Sequence, residues 1–147
     1  MRPSMQELIL EVAKLMAKRS TCSARARVGA VLADTAGRIV ATGYNGSPRG
    51  WAHCDEVGCD LDKDGHCTRA IHAEENCILQ CAIYGISTDG LILYSTHNPC
   101  QRCTVRLYQA GIRKVVFLNQ YQEITRPMGM EIVGPLIDHE TNGKDNP

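Results

Sequence analysis

Eight cysteines, at positions 22, 54, 59, 67, 77, 81, 100 and 103 of 147 residues, constrain this chain more than any other feature. In a secreted mini-protein such a count reads as a disulfide framework, whereas in a reducing compartment it reads as metal binding. The N-terminal run MRPSMQELILEVAKLMAKRS mixes charges among its apolar positions, so it lacks the unbroken apolar stretch of a signal peptide. No apolar run approaches the ~20 residues that cross a bilayer. The expectation is a cytoplasmic protein with no membrane partner, whose thiols are available to metal.

The pattern between the cysteines says what kind of fold must hold them. Residues 4–19 read as an amphipathic helix with Ser4 as N-cap and Leu8, Val12, Leu15 and Met16 on one face. Two short apolar runs, 28–33 and 38–43, flank a turn that Gly37 supplies, which is a hairpin signal. Residues 44–69 then dissolve into Gly, Pro, Asp, Cys and His. So long an irregular stretch inside one domain needs an organiser, and a metal is one. A second helix over 72–84 is closed by Gly85, a strand covers 91–95, and Asn98-Pro99 opens a third helix over 100–110 that ends at Gly111. Another strand covers 114–118. Residues 121–137 read as a short helix followed by an edge strand, and residues 138–147 as a frayed polar tail. Helix, strand, helix, strand after a hairpin predicts an α/β fold, a sheet with crossover helices, in a single domain spanning 1–147.

Two of the helix starts carry the chemistry. His72-Ala73-Glu74 opens one and Pro99-Cys100-Gln101-Arg102-Cys103 opens the other. Cys100 and Cys103 are three apart, so a helix presents them on one face where they can share an ion. Two thiolates and one imidazole suit zinc and leave its fourth position to water. Both helix N-termini would point at the ion, and their positive dipole ends favour thiolate. Glu74 would make such a site a catalyst. Deamination of an aminopyrimidine needs water activated for attack at C4, a proton for ring N3 and a proton for departing ammonia, and one carboxylate can carry all three. Alone, C-x-x-C fits redox chemistry or any zinc knuckle, and H-x-E says almost nothing. Together, H-x-E…P-C-x-x-C is the signature of zinc-dependent nucleobase deaminases. The bland alternative is a closed zinc site with Glu74 as a capping acid.

The run from Arg19 to Tyr121 resembles the deoxycytidylate (dCMP) deaminase family. The resemblance is carried by Arg19-Ser20-Thr21-Cys22, Val28-Gly29-Ala30, Gly43-Tyr44-Asn45-Gly46, the Cys/His loop, His72-Ala73-Glu74-Glu75-Asn76, Thr96-His97-x-Pro99-Cys100-x-x-Cys103 and Gln109-Ala110-Gly111-Ile112. It implies the cytidine deaminase-like three-layer fold, a five-stranded mixed sheet flanked by helices. It also implies hydrolysis of dCMP to dUMP and ammonia, with a nucleotide as small-molecule partner and assembly into homo-oligomers, in the family hexamers. Carried over by position, His72, Cys100 and Cys103 take a catalytic zinc and Glu74 shuttles protons. Asn45 corresponds to a substrate-contacting Asn, against the alternative of a turn residue that tolerates positive φ. Tyr121 corresponds to a Tyr lining the nucleotide pocket, against a plain edge-strand Tyr. Arg25 and Arg27 are candidates for the phosphate, against ordinary surface arginines.

The resemblance also implies a second, structural zinc on Cys22, Cys54, Cys59 and Cys67, with His66 as the alternate last ligand; the competing reading is four bystander thiols. Such an ion would explain how the long loop folds. Cys77 and Cys81 lie among Ile78 and Leu79 and read as core, since free Cys packs as a small hydrophobe. Ile83 stands where some relatives carry a basic residue tied to effector response, which puts control by dCTP and dTTP in doubt. Equal numbers of basic and acidic residues, 16 each, argue against a nucleic-acid partner. Two rivals stay open: a deaminase of another base or nucleotide, including a 5-substituted dCMP, and a non-catalytic zinc-organised binding module.

Overall fold

In the computed structural model, residues 1–22 and 25–136 are described. The first helix, α1 (Met5–Ala17), begins in a capping box: the Ser4 hydroxyl accepts the Glu7 amide, and the Glu7 carboxylate accepts the Ser4 amide at 2.6 Å. Two of the four orphan amides of the first turn are answered by this pair. The buried face is not the one expected. Ile9, Leu10 and Ala13 are buried, while Leu8 and Leu15 are exposed. The helix rolls this way because Gly29 faces Ala13 and Ala17 so closely that a Cβ at 29 would collide with the α1 main chain. Small residues at the contact let the helix lie almost on the sheet, and that approach outweighs the burial of two leucines.

The hairpin forms as expected from β1 (Gly29–Ala33) and β2 (Ile39–Tyr44). Its turn is tied by Asp34, whose carboxylate accepts the amides of Ala36 and Arg38 at 2.9 Å each. A four-residue helix, α2 (Cys54–Val57), interrupts the Cys/His loop. Then follow α3 (Ala73–Tyr84), β3 (Ile92–His97), α4 (Gln101–Gln109), β4 (Lys114–Asn119) and β5 (Glu131–Val133). Gly85 ends α3 in the left-handed conformation at φ 66°, where a Cβ would be strained. The sheet order is β2-β1-β3-β4-β5, with β1 antiparallel to both neighbours and β3, β4 and β5 parallel. This is the five-stranded mixed sheet expected. The edge strand exists, but no helix forms over 121–130, where Pro127 and Gly129 interrupt any helical run. The expected frayed tail lies outside the described residues.

Alternation along β1 divides the core into two layers. Val31 and Ala33 pack with Ile9, Leu10 and Ala13 of α1, and with Tyr94, Val116 and Leu118. Ala30 and Leu32 face the other way, toward Ala73, Cys77 and Cys81 of α3 and Leu107 of α4. Cys77 and Cys81 are therefore core residues, as expected. The second layer matters for function, because it fixes α3 and α4 side by side on one face of the sheet.

Candidate metal centre and nucleotide cleft

The chain leaves the second helix layer at two N-termini that face each other. His72 is the N-cap of α3, yet its side chain caps nothing. Its Nδ1 lies instead 3.6 Å from Cys100 Sγ and 3.4 Å from Cys103 Sγ. Cys100 is the N-cap of α4, and its sulfur accepts the Cys103 amide at 3.4 Å. The three donor atoms lie within 4.8 Å of one another. Zinc bonds of about 2.3 Å to sulfur and 2.0–2.1 Å to nitrogen set the S···N edge of a tetrahedron at roughly 3.5–3.6 Å. The two spacings observed match that edge, so this donor set fits zinc.

Electrostatics agree with the geometry. The Cys100 thiol is held down at about 4 by hydrogen bonding to the Cys103 thiol, with the imidazole of His72 and the Cys103 amide adding to it. The neighbouring Cys103 is pushed up by the same shared proton and by burial. His72 is raised above the usual imidazole value, first by its contact with Cys100. Glu74, only 4% exposed, has its carboxyl raised by burial, while its own amide and His72 pull the other way. A buried carboxyl held above its ordinary value beside a donor cluster marks a candidate proton-exchanging group. Behind it, Glu75 meets Arg106 at 3.5 Å and joins α3 to α4.

The second cysteine set is partly assembled. Cys54, Cys59 and Cys67 have sulfurs within 4.8 Å of one another, and Cys54 and Cys67 stand 3.7 Å apart. That is close to the roughly 3.8 Å S···S edge of a tetrahedral zinc. The loop reaches this state through a small hairpin in which Asp62 bonds His66 and Thr68 bonds Asp60. Cys67 rather than His66 joins the cluster; His66 turns to Asp62, 3.7 Å away. Cys22 is buried and is not among the three sulfurs that meet. Its neighbour Thr21 nevertheless touches His53, the residue before Cys54, at 3.1 Å.

The remaining candidates divide. Asn45 is buried, and its carboxamide accepts the Val28 amide at 2.8 Å and donates to the Ala26 carbonyl at 2.9 Å. It thereby clasps the main chain on both sides of Arg27, which is exposed. Arg25 is spent elsewhere, donating to the Gly65 carbonyl at 2.6 Å and bracing the Cys/His loop. Tyr121 stands in no strand. Its ring meets His97 edge-on, with centroids 5.9 Å apart and planes at 87°. Beside it is a cavity of about 450 Å³ lined by Gln101, Gln122, Glu123, Ile124 and Thr125. Sequence reasoning overlooked Asn98, read only as a helix opener. It is 3% exposed and both ends of its side chain bond the 121–123 main chain. A polar residue before Pro99 gave no sign of this, because its partners are backbone atoms.

Residues 3–119 match the family described as the cytidine and deoxycytidylate deaminase zinc-binding region. The chain belongs to this family. Among curated relatives, ComE operon protein 2 of Bacillus subtilis is 44% identical over 131 residues, covering 89% of this chain and 67% of that protein. The deoxycytidylate deaminase of Schizosaccharomyces pombe is 40% identical over 127 residues, covering 82% and 38%. The family member described here thus spans about two thirds of the Bacillus protein and about two fifths of the yeast one. Among solved structures, the dCMP deaminase of cyanophage S-TIM5 in complex with dCMP and dUMP aligns with a TM-score of 0.76 at 33% identity, covering 90% of this chain and 97% of that one. Among the described residues, no helix is long and apolar enough to cross a membrane.

Proposed function

We infer that this chain hydrolyses dCMP to dUMP and ammonia in a single domain. The observation that carries the reading is the convergence of His72 Nδ1, Cys100 Sγ and Cys103 Sγ beside the buried Glu74. Relatives named deoxycytidylate deaminase support the substrate. Zinc held by His72, Cys100 and Cys103 would act as a Lewis acid that makes a nucleophile of water at neutral pH. Glu74 takes a proton from the attacking water and delivers it to ring N3. It then takes the remaining proton from the hydroxyl added at C4 and passes it to the exocyclic nitrogen as C4=O forms and the C4–N bond breaks, so that dCMP and water leave as dUMP and ammonia. Asn45 holds the segment that presents Arg27 to the phosphate, and the ring of Tyr121 borders the base.

A second, structural zinc on Cys54, Cys59 and Cys67 is part of the same reading. Cys22 is the fourth ligand, supported by the contact of its neighbour Thr21 with His53. Leu79, Ile83 and Val105 are exposed on α3 and α4, and exposed apolar side chains suit burial against further copies in a hexamer. No disulfide joins any cysteine among the described residues, which suits the cytoplasm. The test measures zinc per chain together with ammonia release from dCMP, CMP, deoxycytidine and 5-methyl-dCMP. Two zincs and selective turnover of dCMP are expected. Turnover of 5-methyl-dCMP in preference would move the substrate to a 5-substituted nucleotide. Zinc without turnover of any of the four would leave a binding module, a reading favoured by one fact, that the Bacillus relative bears no enzyme name. A monomer by light scattering would refute the assembly.

A further inference from the structure

The metal-ligand turn and the cavity wall belong to different parts of the chain, and one side chain joins them. Asn98 lies between the end of β3 and Pro99-Cys100. Its Oδ1 accepts the Tyr121 amide at 2.7 Å and, more weakly, the Gln122 amide at 3.5 Å. Its Nδ2 donates to the carbonyls of Gln122 at 3.2 Å and Glu123 at 3.4 Å. Those contacts occupy both ends of a carboxamide that is almost wholly buried. The segment it holds has no strand or helix of its own after β4 ends at Asn119. Even so, it supplies Gln122, Glu123, Ile124 and Thr125 to the cavity beside Gln101. The same bonds fix the start of the segment, where the Tyr121 ring stands edge-on to His97 and remains about half exposed at 47%.

We propose that Asn98 is a positioning residue for nucleotide recognition, locking residues 121–123 to the turn that carries Cys100 so that the cavity wall keeps its distance from the reacting base. The proposal rests on the dCMP reading for its ligand, but not for the tether itself. Because the side chain bonds main chain only, it reads nothing of the nucleotide directly. Its removal should loosen the wall without touching the donors of the metal centre. Affinity should therefore suffer while chemistry on bound substrate persists.

The test compares wild type with Asn98→Ala by dCMP kinetics, zinc content and amide hydrogen exchange. Asn98→Ala is expected to raise KM for dCMP about tenfold, to leave kcat within about threefold, and to keep the zinc content of wild type. Exchange at the Tyr121 and Gln122 amides should quicken by at least tenfold. Should the alanine variant not fold, Asn98→Asp carries the test. It keeps the acceptor for the Tyr121 amide and loses the two donor bonds, so KM should still rise while the Tyr121 amide stays protected. Unchanged exchange over residues 121–123 in Asn98→Ala would overturn the proposal. So would a joint fall of zinc content and kcat with KM unchanged, because Asn98 would then serve the metal turn. Wild type inert toward dCMP would sink the substrate reading alone, and the exchange measurement would still decide the tether.

Discussion

Gly43→Ala should damage the active site although residue 43 touches none of its ligands. Gly43 sits in β2 beneath the first turn of α3. A Cβ built there falls inside the envelope of the Ala73 carbonyl oxygen, 3.0 Å from the Cys77 amide nitrogen and 3.1 Å from Asn76 Cβ. Since non-bonded heavy atoms settle at roughly 3.5 Å or more, α3 must retreat by something on the order of 0.5–1 Å. The turn that moves is the one bearing His72 and Glu74. Overpacking of this kind costs about 1–3 kcal/mol, and replacing a strand glycine returns about 0.5–1 kcal/mol of chain entropy. The net loss, about 1 kcal/mol at mid-range and at most about 2.5 kcal/mol, lowers Tm by roughly 3–4 °C at mid-range in a chain of this size. Displacing a catalytic group by about 1 Å can cost about a hundredfold in rate. Scanning calorimetry and ammonia release measure the two effects. Gly46→Ala is the control, because a Cβ at 46 meets nothing closer than 3.7 Å, so it should leave turnover unchanged and Tm unchanged or slightly raised. Ala73→Gly should not rescue Gly43→Ala, since the obstacle is main chain. Wild-type turnover and Tm in Gly43→Ala, or equal damage in Gly46→Ala, would refute the reasoning.

Glu74→Gln should bind zinc and fold normally yet lose at least a thousandfold in kcat, with proton transfer steps typically contributing about 10²–10⁴ each. More than a few per cent of residual ammonia release would contradict the shuttle. In metal-stripped protein, the raised carboxyl of Glu74 favours the folded state when protonated. That contribution is complete below the ordinary carboxylate pKa and disappears as pH rises through the folded value. Glu74→Gln should accordingly melt higher than wild type at pH 8 in thermal scans, with the gap closing toward pH 4; a constant gap would mean that Glu74 is not strained by burial. Cys59→Ala should release one zinc of two and lower Tm by several degrees, while kcat on dCMP changes less than threefold, as metal analysis and calorimetry would reveal.

Hydropathy patterns and helix punctuation located every major element, because Ser4, Gly37, Gly85, Pro99 and Gly111 act locally and their effect is printed in the chain. The orientation of α1 was not legible in the same way. Leu8 and Leu15 outweigh Ala13 on any hydropathy scale, but the decisive contact is Gly29 against Ala13, between two residues with almost no side chain. The candidate donors His72, Cys100 and Cys103 could be read from spacing, since an N-cap and the i, i+3 relation fix directions. Arg25 could not: whether an exposed arginine meets a phosphate or a carbonyl such as that of Gly65 depends on where a distant loop folds. Asn98 escaped for a related reason. A carboxamide that bonds only backbone leaves no complementary residue in the sequence to betray it.

His72 and Cys100 are 28 residues apart, and the path between them is an excursion that returns to its origin. The twelve residues of α3 advance about 18 Å at 1.5 Å each, and the six of β3 come back about 20 Å at 3.3 Å each. The donor spacing is thus a closure condition on two lengths, and a residue added to either length alone would open the gap. The far bend over residues 85–90 is free of that condition. Chain length there can vary as surface connections commonly do, so a short flexible insert after Ser87 should leave zinc binding and turnover intact, while one added residue within β3 should abolish both.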